Sequence, residues 1–457
     1  MRDNAVSNGE TINERLVDHV KSLVEGHDTD ALKKLIEELA PADVADLLEH
    51  LDHDERLFIF DLLEPEGAAD ILVEIEPPVQ GRLLEDLDNE VISDIVEELD
   101  SDDAADLLGD LPEDRARQII ETVDDETSRD LEKLLPYRDD SAGGIMALEF
   151  VAVQADATVQ DAIDTIRRKK EEVERVYSVW VVDGYGRLVG VVALSDLVLE
   201  QPDQKIREIM DPDVVSVKAD ADQEEVVRLV KKYDLVSIPV VDNKHRLVGR
   251  ITHDDIVDVM EEETDEDIAI IAGILPQDIT ESSPTVISKA RLPWLLGALL
   301  GELVAAFVIS RFEGSLAKVV ALSFFFPVIM AMGGNSGTQA AIVVVRGLAT
   351  GDISMVKIWK RLWVELRVAL INGLICGSIL ALVVGTWLSD PPLGAVVGLA
   401  LVSIILFSGF AGSAIPLLLK RMKVDPALGT GPFVATSNDI LGIFIYLGLI
   451  TLFLWAR

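Results

Sequence analysis

The sequence predicts a multi-domain protein with an all-α superhelical domain, an α/β tandem repeat and an α-helical membrane domain of five spans. Three observations predict this fold: a change of charge near Pro276, loose repeats in two parts of the chain, and five long apolar segments. The first 276 residues hold 72 acidic and 27 basic residues, whereas the remainder holds 9 and 13. An acidic soluble part joined to an apolar part indicates cations as partners, although adaptation to a saline habitat would also produce the acid excess.

The predicted boundaries follow these changes in composition. They are 1–140 for the acidic helical domain, 141–202 and 203–264 for the two repeats, 265–291 for a linker (plug) helix and 292–457 for the membrane domain. Cys376 is the single cysteine, which excludes a disulfide framework within one chain and thiolate metal clusters. We expect no nucleic-acid partner for so acidic a chain.

The acidic domain contains a recurring phrase of small residues followed by two apolar residues. Copies occur at 42–48, 67–72 and 103–108, separated by acidic turns or prolines. The helical spacing of the apolar residues predicts short amphipathic helices that stack into a superhelix, in which each helix buries its face on its neighbours. The acidic outer faces of these helices do not by themselves predict an ion-binding site, since a charged helix face is usually exposed to solvent.

The two repeats correspond position by position in the order strand, helix, strand, turn, strand, helix. The matching segments are 145–146 with 209–210, 187–190 with 246–249, and Asp196 with Asp255. This pattern resembles a pair of CBS domains, and the resemblance implies regulatory modules that often bind adenosine nucleotides.

The second repeat resembles nucleotide-binding CBS domains more closely than the first does. Thr252 and Asp255 follow Gly249 in the arrangement that contacts ribose in such domains, whereas the first repeat has Ala193 in place of the hydroxyl. Leu235 and Ser178 stand where ATP-binding members carry aromatic residues. ATP is therefore a candidate ligand, and Thr252 and Asp255 are its candidate contacts.

Five apolar segments each reach the ~20 residues that span a hydrocarbon layer. They are 292–310, 317–345, 363–388, 393–419 and 432–455. Basic residues cluster before the first span and in the loops after the second and fourth spans. The positive-inside rule therefore predicts a multi-pass cell-membrane protein with cytosolic N-terminal domains and its C-terminus outside.

Two acidic residues inside the apolar spans are candidates for an ion path. Asp439 in the fifth span follows Thr436, Ser437 and Asn438, and a carboxylate costs about 3 kcal/mol at a helix centre unless it meets a polar path. Glu302 in the first span is the second candidate, and we expect it to lie near an interface or a partner helix. The alternative is a polar cluster that joins helices and lines no path.

The second span carries Gly333-Gly334-Asn335-Ser336-Gly337-Thr338-Gln339. Its glycines and polar residues predict a loosened segment that exposes backbone carbonyls to water, and the glycines would also allow close helix packing. Oxygen atoms are the ligands available in the spans, which favours Mg²⁺, Ca²⁺ or Mn²⁺ over zinc or copper. Pro432 and the neighbouring glycines predict a bent or broken fifth span.

From end to end the chain resembles the MgtE family of magnesium channels. The motifs that carry the resemblance are the second-span motif, Asp425-Pro426-Ala427, and Gly431 to Thr436 followed by Asp439. The resemblance implies a homodimer in the bilayer that conducts Mg²⁺ through a pore lined chiefly by the fifth span. Gly431 departs from the family, whose members carry Asn at this position.

The resemblance also implies residue roles. The implied pore ligands are Asp439, Ala435 and Asp425, and the implied pore-motif residues are Gly333, Gly334, Asn335, Gly337, Gln339, Gly431, Pro432, Thr436 and Asn438. The implied ligands of a Mg²⁺ sensor are Asp234, Asp255, Asp258, Glu263, Glu266 and Asp267, with partners among Glu97, Glu98, Asp102 and Asp103. High cytosolic Mg²⁺ would neutralise these acids and close the pore, whereas low Mg²⁺ would leave them repelling one another and favour an open state.

Other function classes remain open at this point. A membrane enzyme would need a motif such as a Walker sequence, HExxH or a Cys/His pair, and we find none in the sequence. A cation transporter of other selectivity (Co²⁺, Mn²⁺ or Ca²⁺) or one coupled to H⁺ or Na⁺ would use the same intramembrane acid. A membrane-anchored sensor would need no polar residues in its spans, and this chain has them.

Overall fold

The computed structural model describes residues 14–170, 172, 173, 175–272, 284–349, 353, 358–424, 426, 427 and 432–457. The chain divides into two compact units, Met1–Met260 and Glu261–Arg457. Each unit is described by itself.

Ten short helices form the first part of the first unit. They are α1 (Glu14–Glu25), α2 (Thr29–Glu37), α3 (Pro41–Glu49), α4 (His53–Phe60), α5 (Pro65–Val73), α6 (Pro77–Asp86), α7 (Asn89–Val96), α8 (Ser101–Gly109), α9 (Glu113–Ile120) and α10 (Asp125–Leu134). Prolines begin α3, α5 and α6, and aspartate side chains accept backbone N–H groups at the starts of α2, α4 and α10. These are the residues that favour helix starts.

The helices follow a strict 12-residue repeat. From Thr29 in α2 to Asp125 in α10, each helix begins 12 residues after the previous one. Alternate helices pack on each other, as α3 does on α5, α5 on α7 and α7 on α9. Two helices therefore make one 24-residue turn, and the predicted superhelix is confirmed. The apolar pairs of the recurring phrase, such as Leu107 and Leu108, are buried in its core.

The two repeats are α/β units with matching topology. The first contains β1 (Ala152–Gln154), α11 (Val159–Arg168), β2 (Ser178–Val182), β3 (Leu188–Ala193) and α12 (Leu194–Leu199); the short α13 (Ile206–Ile209) follows. The second contains β4 (Val217–Lys218), α14 (Gln223–Tyr233), β5 (Ile238–Val241), β6 (Leu247–Ile251) and α15 (His253–Ala272). The sheet orders are β1-β2-β3 and β4-β5-β6; in each sheet the first two strands pair in parallel and the last two in antiparallel. The predicted order of elements is confirmed.

The repeats pack on each other around an approximate twofold relation. The Leu188 N–H donates to the His245 carbonyl at 3.0 Å, and the Leu247 N–H donates to the Gly186 carbonyl at 3.1 Å. Reciprocal contacts of this kind make the two repeats one pair.

The helical superhelix shares a hydrophobic core with the second repeat. Leu107 and Leu108 of α8 belong to the same buried cluster as Ile251 and Ile256 at the end of β6 and the start of α15. The first turn of α8 also lies near the first turn of α15, because Asp255 is the strongest acting charge on Asp102 and Asp103.

The second unit contains five helices, among the described residues, that are long and apolar enough to cross a membrane. They are Pro284–Arg311, Val320–Leu348 (a 3₁₀ turn continued by the α-helix Phe326–Ala349), Ile358–Trp387, Pro391–Arg421 and Val434–Ala456, the last within the helix Pro432–Ala456. The predicted number of spans is confirmed. A short helix, Glu313–Lys318, follows the first span.

Glycines set the contacts of the fourth span with its neighbours. A Cβ atom at Gly398 would lie 2.5 Å from the Gly377 carbonyl oxygen of the third span, and one at Gly412 would lie 2.1 Å from the Gly337 carbonyl oxygen of the second. Because both distances are far inside van der Waals contact, a side chain at either position would separate the helices. Small residues allow this close packing in membranes.

Candidate functional site

The motif in the second span is helical. Residues 333–339 lie inside the continuous helix Phe326–Ala349, so the predicted loosening of this segment is wrong. The glycines serve close packing instead: a Cβ at Gly333 would lie 2.3 Å from Asn438 Oδ1, and a Cβ at Gly337 would lie 2.7 Å from a methyl group of Val434. Both neighbours belong to the fifth span, so the motif determines how closely the second and fifth spans approach.

The polar residues of the same motif lie on a different face. Asn335 and Gln339 are four residues apart and exposed in the single chain, whereas Gly333 and Gly337 are buried. Amide side chains on an exposed face within the hydrocarbon layer need water or another chain as their partner. Gly334 lies between the two faces and is partly buried.

Asn438 joins three spans. Its side chain is 1% exposed. The Ser408 hydroxyl of the fourth span donates to Asn438 Oδ1, and Asn438 Nδ2 donates to the Met330 carbonyl of the second span at 3.3 Å. Asn438 therefore acts at least in part as a packing residue, as the alternative interpretation of this polar cluster predicted.

Asp439 lies next to Asn438 in the sequence and contacts a different neighbour. It is half-buried, and Glu302 of the first span is its acidic neighbour. Asn438 Nδ2 lies 3.5 Å from Asp439 Oδ1, at the outer limit of a hydrogen bond. The structure thus brings together the two candidate intramembrane acids that the sequence presented separately.

Close packing of the first and fifth spans explains this contact. Gly301 is buried, and a Cβ at this position would lie 2.0 Å from the Thr436 methyl group. Since Glu302 and Asp439 follow these positions closely along their helices, the approach brings their side chains within reach. The spacing of 137 residues gave no sequence signal for the pair.

The other predicted pore residues lie at the start of the fifth span or before it. Ala435 and Thr436 are partly buried in the fifth span. Pro432 begins the helix that forms this span, so it starts the helix rather than bending its middle. Asp425 and Gly431 lie outside the described residues.

The first unit contains a cluster of acidic residues between α8 and α15. Asp102 and Asp103 lie in the first turn of α8, and Asp255 and Asp258 lie in the first two turns of α15. Asp102 is 7% exposed. Burial, followed by the negative charge of Asp255, raises the pKa of Asp102 well above its ordinary value of 3.8.

Burial also raises the pKa values of Asp103 and Asp255. Burial and then the charge of Asp255 raise the pKa of Asp103 to about 7, and Asp258 contributes to this rise. Burial also raises the pKa of Asp255, although the hydrogen bonds from Thr252 oppose the rise. Buried carboxyl groups of like charge favour a proton or a cation among them.

Hydrogen bonds hold the two sides of the acidic cluster. The Thr252 N–H and hydroxyl donate to Asp255 Oδ2 at 2.8 and 2.7 Å. On the opposite side the Ser101 hydroxyl donates to Glu149 at 2.8 Å and accepts from the Leu148 N–H, also at 2.8 Å. Neutral polar groups thus hold Asp255 and Glu149 in place.

The other predicted sensor residues are placed as follows. Glu97 accepts the Asp124 N–H at 2.8 Å, and Asp234 ends α14 in the left-handed conformation at φ 54°. Glu263 and Glu266 continue α15 beyond the boundary between the units, and the side chain of Asp267 lies outside the described residues. Within the described ranges, no three His, Cys, Asp or Glu side chains converge closely enough to ligate a metal ion by themselves. The role of these residues stays a prediction.

Comparison with known families matches most of the chain. Residues 39–140 match the MgtE intracellular N domain, 142–203 and 206–262 match the CBS domain, and 326–449 match MgtE, described as a divalent cation transporter. The predicted resemblance to CBS domains is confirmed.

Individual relatives agree with these matches. The magnesium transporter MgtE of Thermus thermophilus is 41% identical over 331 residues, which cover 71% of this chain and 73% of the relative. The magnesium transporter MgtE of Bacillus subtilis is 38% identical over 325 residues, which cover 71% and 72%. The crystal structure of the cytosolic domain of the Mg²⁺ channel MgtE in complex with ATP aligns with a TM-score of 0.51 and 38% identity, over 53% of this chain and 99% of that one.

These relatives are transporters, so the predicted class, transport rather than catalysis, is confirmed. The five apolar helices and the match to a cytosolic domain describe a membrane transporter with a soluble cytosolic part. The chain belongs to the MgtE family.

Proposed function

We propose that the protein is a Mg²⁺-selective channel or transporter of the cell membrane that acts as a homodimer and closes when cytosolic Mg²⁺ is high. The observation that carries the proposal is the half-buried carboxyl group of Asp439, inside the segment that matches a divalent cation transporter. The relatives named as magnesium transporters support Mg²⁺ as the ion.

The chemistry of the spans suits a hydrated Mg²⁺ ion. Mg²⁺ loses its water reluctantly, so a pore carries it with waters that contact carboxylate, amide and carbonyl oxygens. Asp439 supplies the carboxylate, and Asn335 and Gln339 supply amides on a face that is exposed in the single chain. A twofold dimer would double each of these groups around one axis.

The acidic cluster of the first unit supports the gating part of the proposal. With no cation present, ionised Asp102, Asp103 and Asp255 repel one another across the contact between α8 and α15. A Mg²⁺ ion bound between these carboxylates would attract each of them and outweigh their repulsion. It would therefore favour close packing of α8 against α15. High cytosolic Mg²⁺ would thereby stabilise the closed state through α15, which continues along the chain past Met260, whereas low Mg²⁺ would release it.

ATP is proposed as a second regulatory ligand. The related cytosolic domain is known in complex with ATP. Thr252 and Asp255 stand at the end of β6 and the start of α15, with the Thr252 hydroxyl bonded to Asp255. Because Asp255 also belongs to the acidic cluster, nucleotide and Mg²⁺ would influence each other at this residue.

The proposed orientation places the first unit in the cytosol and the C-terminus outside. The distribution of basic residues supports it: the loops after the second and fourth spans carry Arg346, Lys357, Lys360, Arg361, Lys420, Arg421 and Lys423.

Mg²⁺ flux into liposomes tests the proposed function. We expect the reconstituted protein to carry Mg²⁺ and the variant Asp439→Asn, which removes the charge with little change in shape, to lose flux. Glu313→Gln, which removes an exposed acid outside the spans, is the matched control and should behave as wild type. Unchanged flux in Asp439→Asn would refute the assignment of the pore. Ca²⁺, Mn²⁺ and Co²⁺ as competing ions test selectivity, and imposed H⁺ or Na⁺ gradients test coupling.

A further inference from the structure

The helix of the third span, Ile358–Trp387, is longer than the hydrocarbon layer. Its 30 residues cover about 45 Å at 1.5 Å per residue, whereas the layer is about 30 Å thick. Trp359 and Trp387, near its two ends, are 76% and 66% exposed and lie about 42 Å apart along the helix axis. A bilayer with its headgroups is about as thick, so each tryptophan reaches one membrane interface.

Four exposed residues share one face in the first turns of this helix. They are Trp359, Lys360, Trp363 and Arg367. At 3.6 residues per turn, they fall within an arc of about 100°. The exposed residues Leu370 and Leu374 continue the same face deeper into the membrane. Along this face, two cations and two indole rings are therefore followed by an apolar surface.

The two cations of this face have no acidic partner. Arg361, on another face of the helix, pairs with the buried Glu365. Lys360 and Arg367, by contrast, form no ion pair with any residue that the structure describes. Lysine and arginine side chains near a span end extend towards the headgroups, where phosphate oxygens accept their N–H groups.

We propose that the face formed by Trp359, Lys360, Trp363 and Arg367 binds the headgroup of an anionic phospholipid. The two cations contact the phosphate, the tryptophans flank the headgroup, and an acyl chain lies along Leu370 and Leu374. In the proposed orientation this lipid belongs to the cytosolic leaflet.

The charges and the polarity of the face favour this ligand over two others. A zwitterionic headgroup carries an ammonium group, which Lys360 and Arg367 would repel. An acidic protein surface would match the two cations but would cover the apolar residues Leu370 and Leu374 poorly, whereas a phospholipid matches both parts of the face. The inference goes beyond the proposed function, because it requires neither Mg²⁺ nor transport.

Quenching of tryptophan fluorescence by phospholipids with brominated acyl chains tests the site, since bromine quenches a tryptophan that it contacts. Trp359 and Trp363 report alone in the full-length chain with four replacements: Trp180→Phe, Trp294→Phe, Trp387→Phe and Trp455→Phe. Liposomes that mix phosphatidylglycerol with phosphatidylcholine, with bromine on one lipid or the other, give the relative affinity of the site for the two.

We expect phosphatidylglycerol to bind about twentyfold more tightly than phosphatidylcholine, because each basic residue near an anionic headgroup contributes about a fivefold preference. Lys360→Gln and Arg367→Gln should each lower the preference about fivefold. Arg421→Gln is the matched control: it removes an exposed cation at the end of the fourth span, in a helix without tryptophan, and should leave the preference unchanged.

Three results would overturn the inference. Equal quenching by the two brominated lipids would show an aromatic belt without selectivity for charge. An equal loss of preference in Arg421→Gln would show general attraction of anionic lipid to a basic membrane side. Absence of quenching by either lipid would show that protein, such as a second copy of the chain, covers Trp359 and Trp363.

Native mass spectrometry of the chain with all its tryptophans gives a second measurement, which decides if the two-tryptophan protein does not fold. The unsubstituted protein should retain more phosphatidylglycerol than phosphatidylcholine, and Lys360→Gln combined with Arg367→Gln should lose this excess while Arg421→Gln keeps it. An excess that survives in the double variant would refute the site. Because neither assay measures transport, failure of the Mg²⁺ flux experiment would refute the proposed function and leave this inference standing, and the reverse also holds.

Discussion

Replacing Asp103 by Asn should stabilise the cytosolic part of the protein, and the gain should depend on pH. The pKa of Asp103 is raised from 3.8 to about 7 in the folded state. Because the folded state holds this proton more tightly than the unfolded state does, stability falls as the pH rises from about 4 to about 7. Above this window the ionised carboxylate is the form that folding must bury, and Asn removes that cost.

The magnitude follows from the pKa values. A rise from 3.8 to about 7 corresponds to about 4 kcal/mol above the window, since a tenfold change in proton affinity is worth about 1.4 kcal/mol. For a unit of this size, 1 kcal/mol changes the melting temperature by about 2–4 °C. Asp103→Asn should therefore raise the melting temperature of the cytosolic transition by about 8 °C or more above pH 7, and by almost nothing near pH 4.

Differential scanning fluorimetry of the purified full-length protein, across this pH range and with and without Mg²⁺, measures the effect. Mg²⁺ should stabilise the wild type above pH 7 and stabilise Asp103→Asn less, because the variant has lost one of the charges that the ion would neutralise. Glu121→Gln, at an exposed acid of the same helical domain, should change neither result. A melting temperature that falls in Asp103→Asn, or rises equally at all pH values, would refute the reasoning.

Two further predictions concern the membrane unit. Asn438→Ala should lower the stability of this unit by about 1–3 kcal/mol, because the Ser408 hydroxyl and the Met330 carbonyl lose a buried partner; thermal unfolding in detergent measures this, and an unchanged transition would contradict it. Gly412→Leu should prevent folding, because its Cβ would lie 2.1 Å from a carbonyl oxygen of the second span, whereas Gly448→Ala, where no atom lies within 4 Å of the added Cβ, should be tolerated. The yield of folded protein in size-exclusion chromatography compares the two, and equal yields would refute the packing argument.

Much of the fold could be predicted from local patterns. The five spans were predictable because apolar length is a property of each segment taken alone. The α/β repeats were predictable because the two copies match position by position. The superhelix was predicted from three copies of a recurring phrase of small and apolar residues. Its 12-residue period was not, because most of the helices begin at this spacing but do not contain the phrase.

The second-span motif shows where local reasoning fails. Glycines and polar residues in mid-span fit both a loosened backbone and close packing, and composition alone does not distinguish them. The structure distinguishes them because Gly333 and Gly337 meet Asn438 and Val434 of the fifth span. Neighbouring helices supply the packing that keeps this segment helical.

By itself the sequence determined the order of the domains and the number of spans, and it predicted the class of ion and the role of Asp439. The tertiary structure decided which acids meet: Asp102 and Asp103 with Asp255 in the first unit, and Glu302 with Asp439 in the second. The physical reason is that helical periodicity and hydropathy act over a few residues. Each of these contacts joins residues more than 130 positions apart, and it forms because small side chains let two helices approach or because two helices share one core.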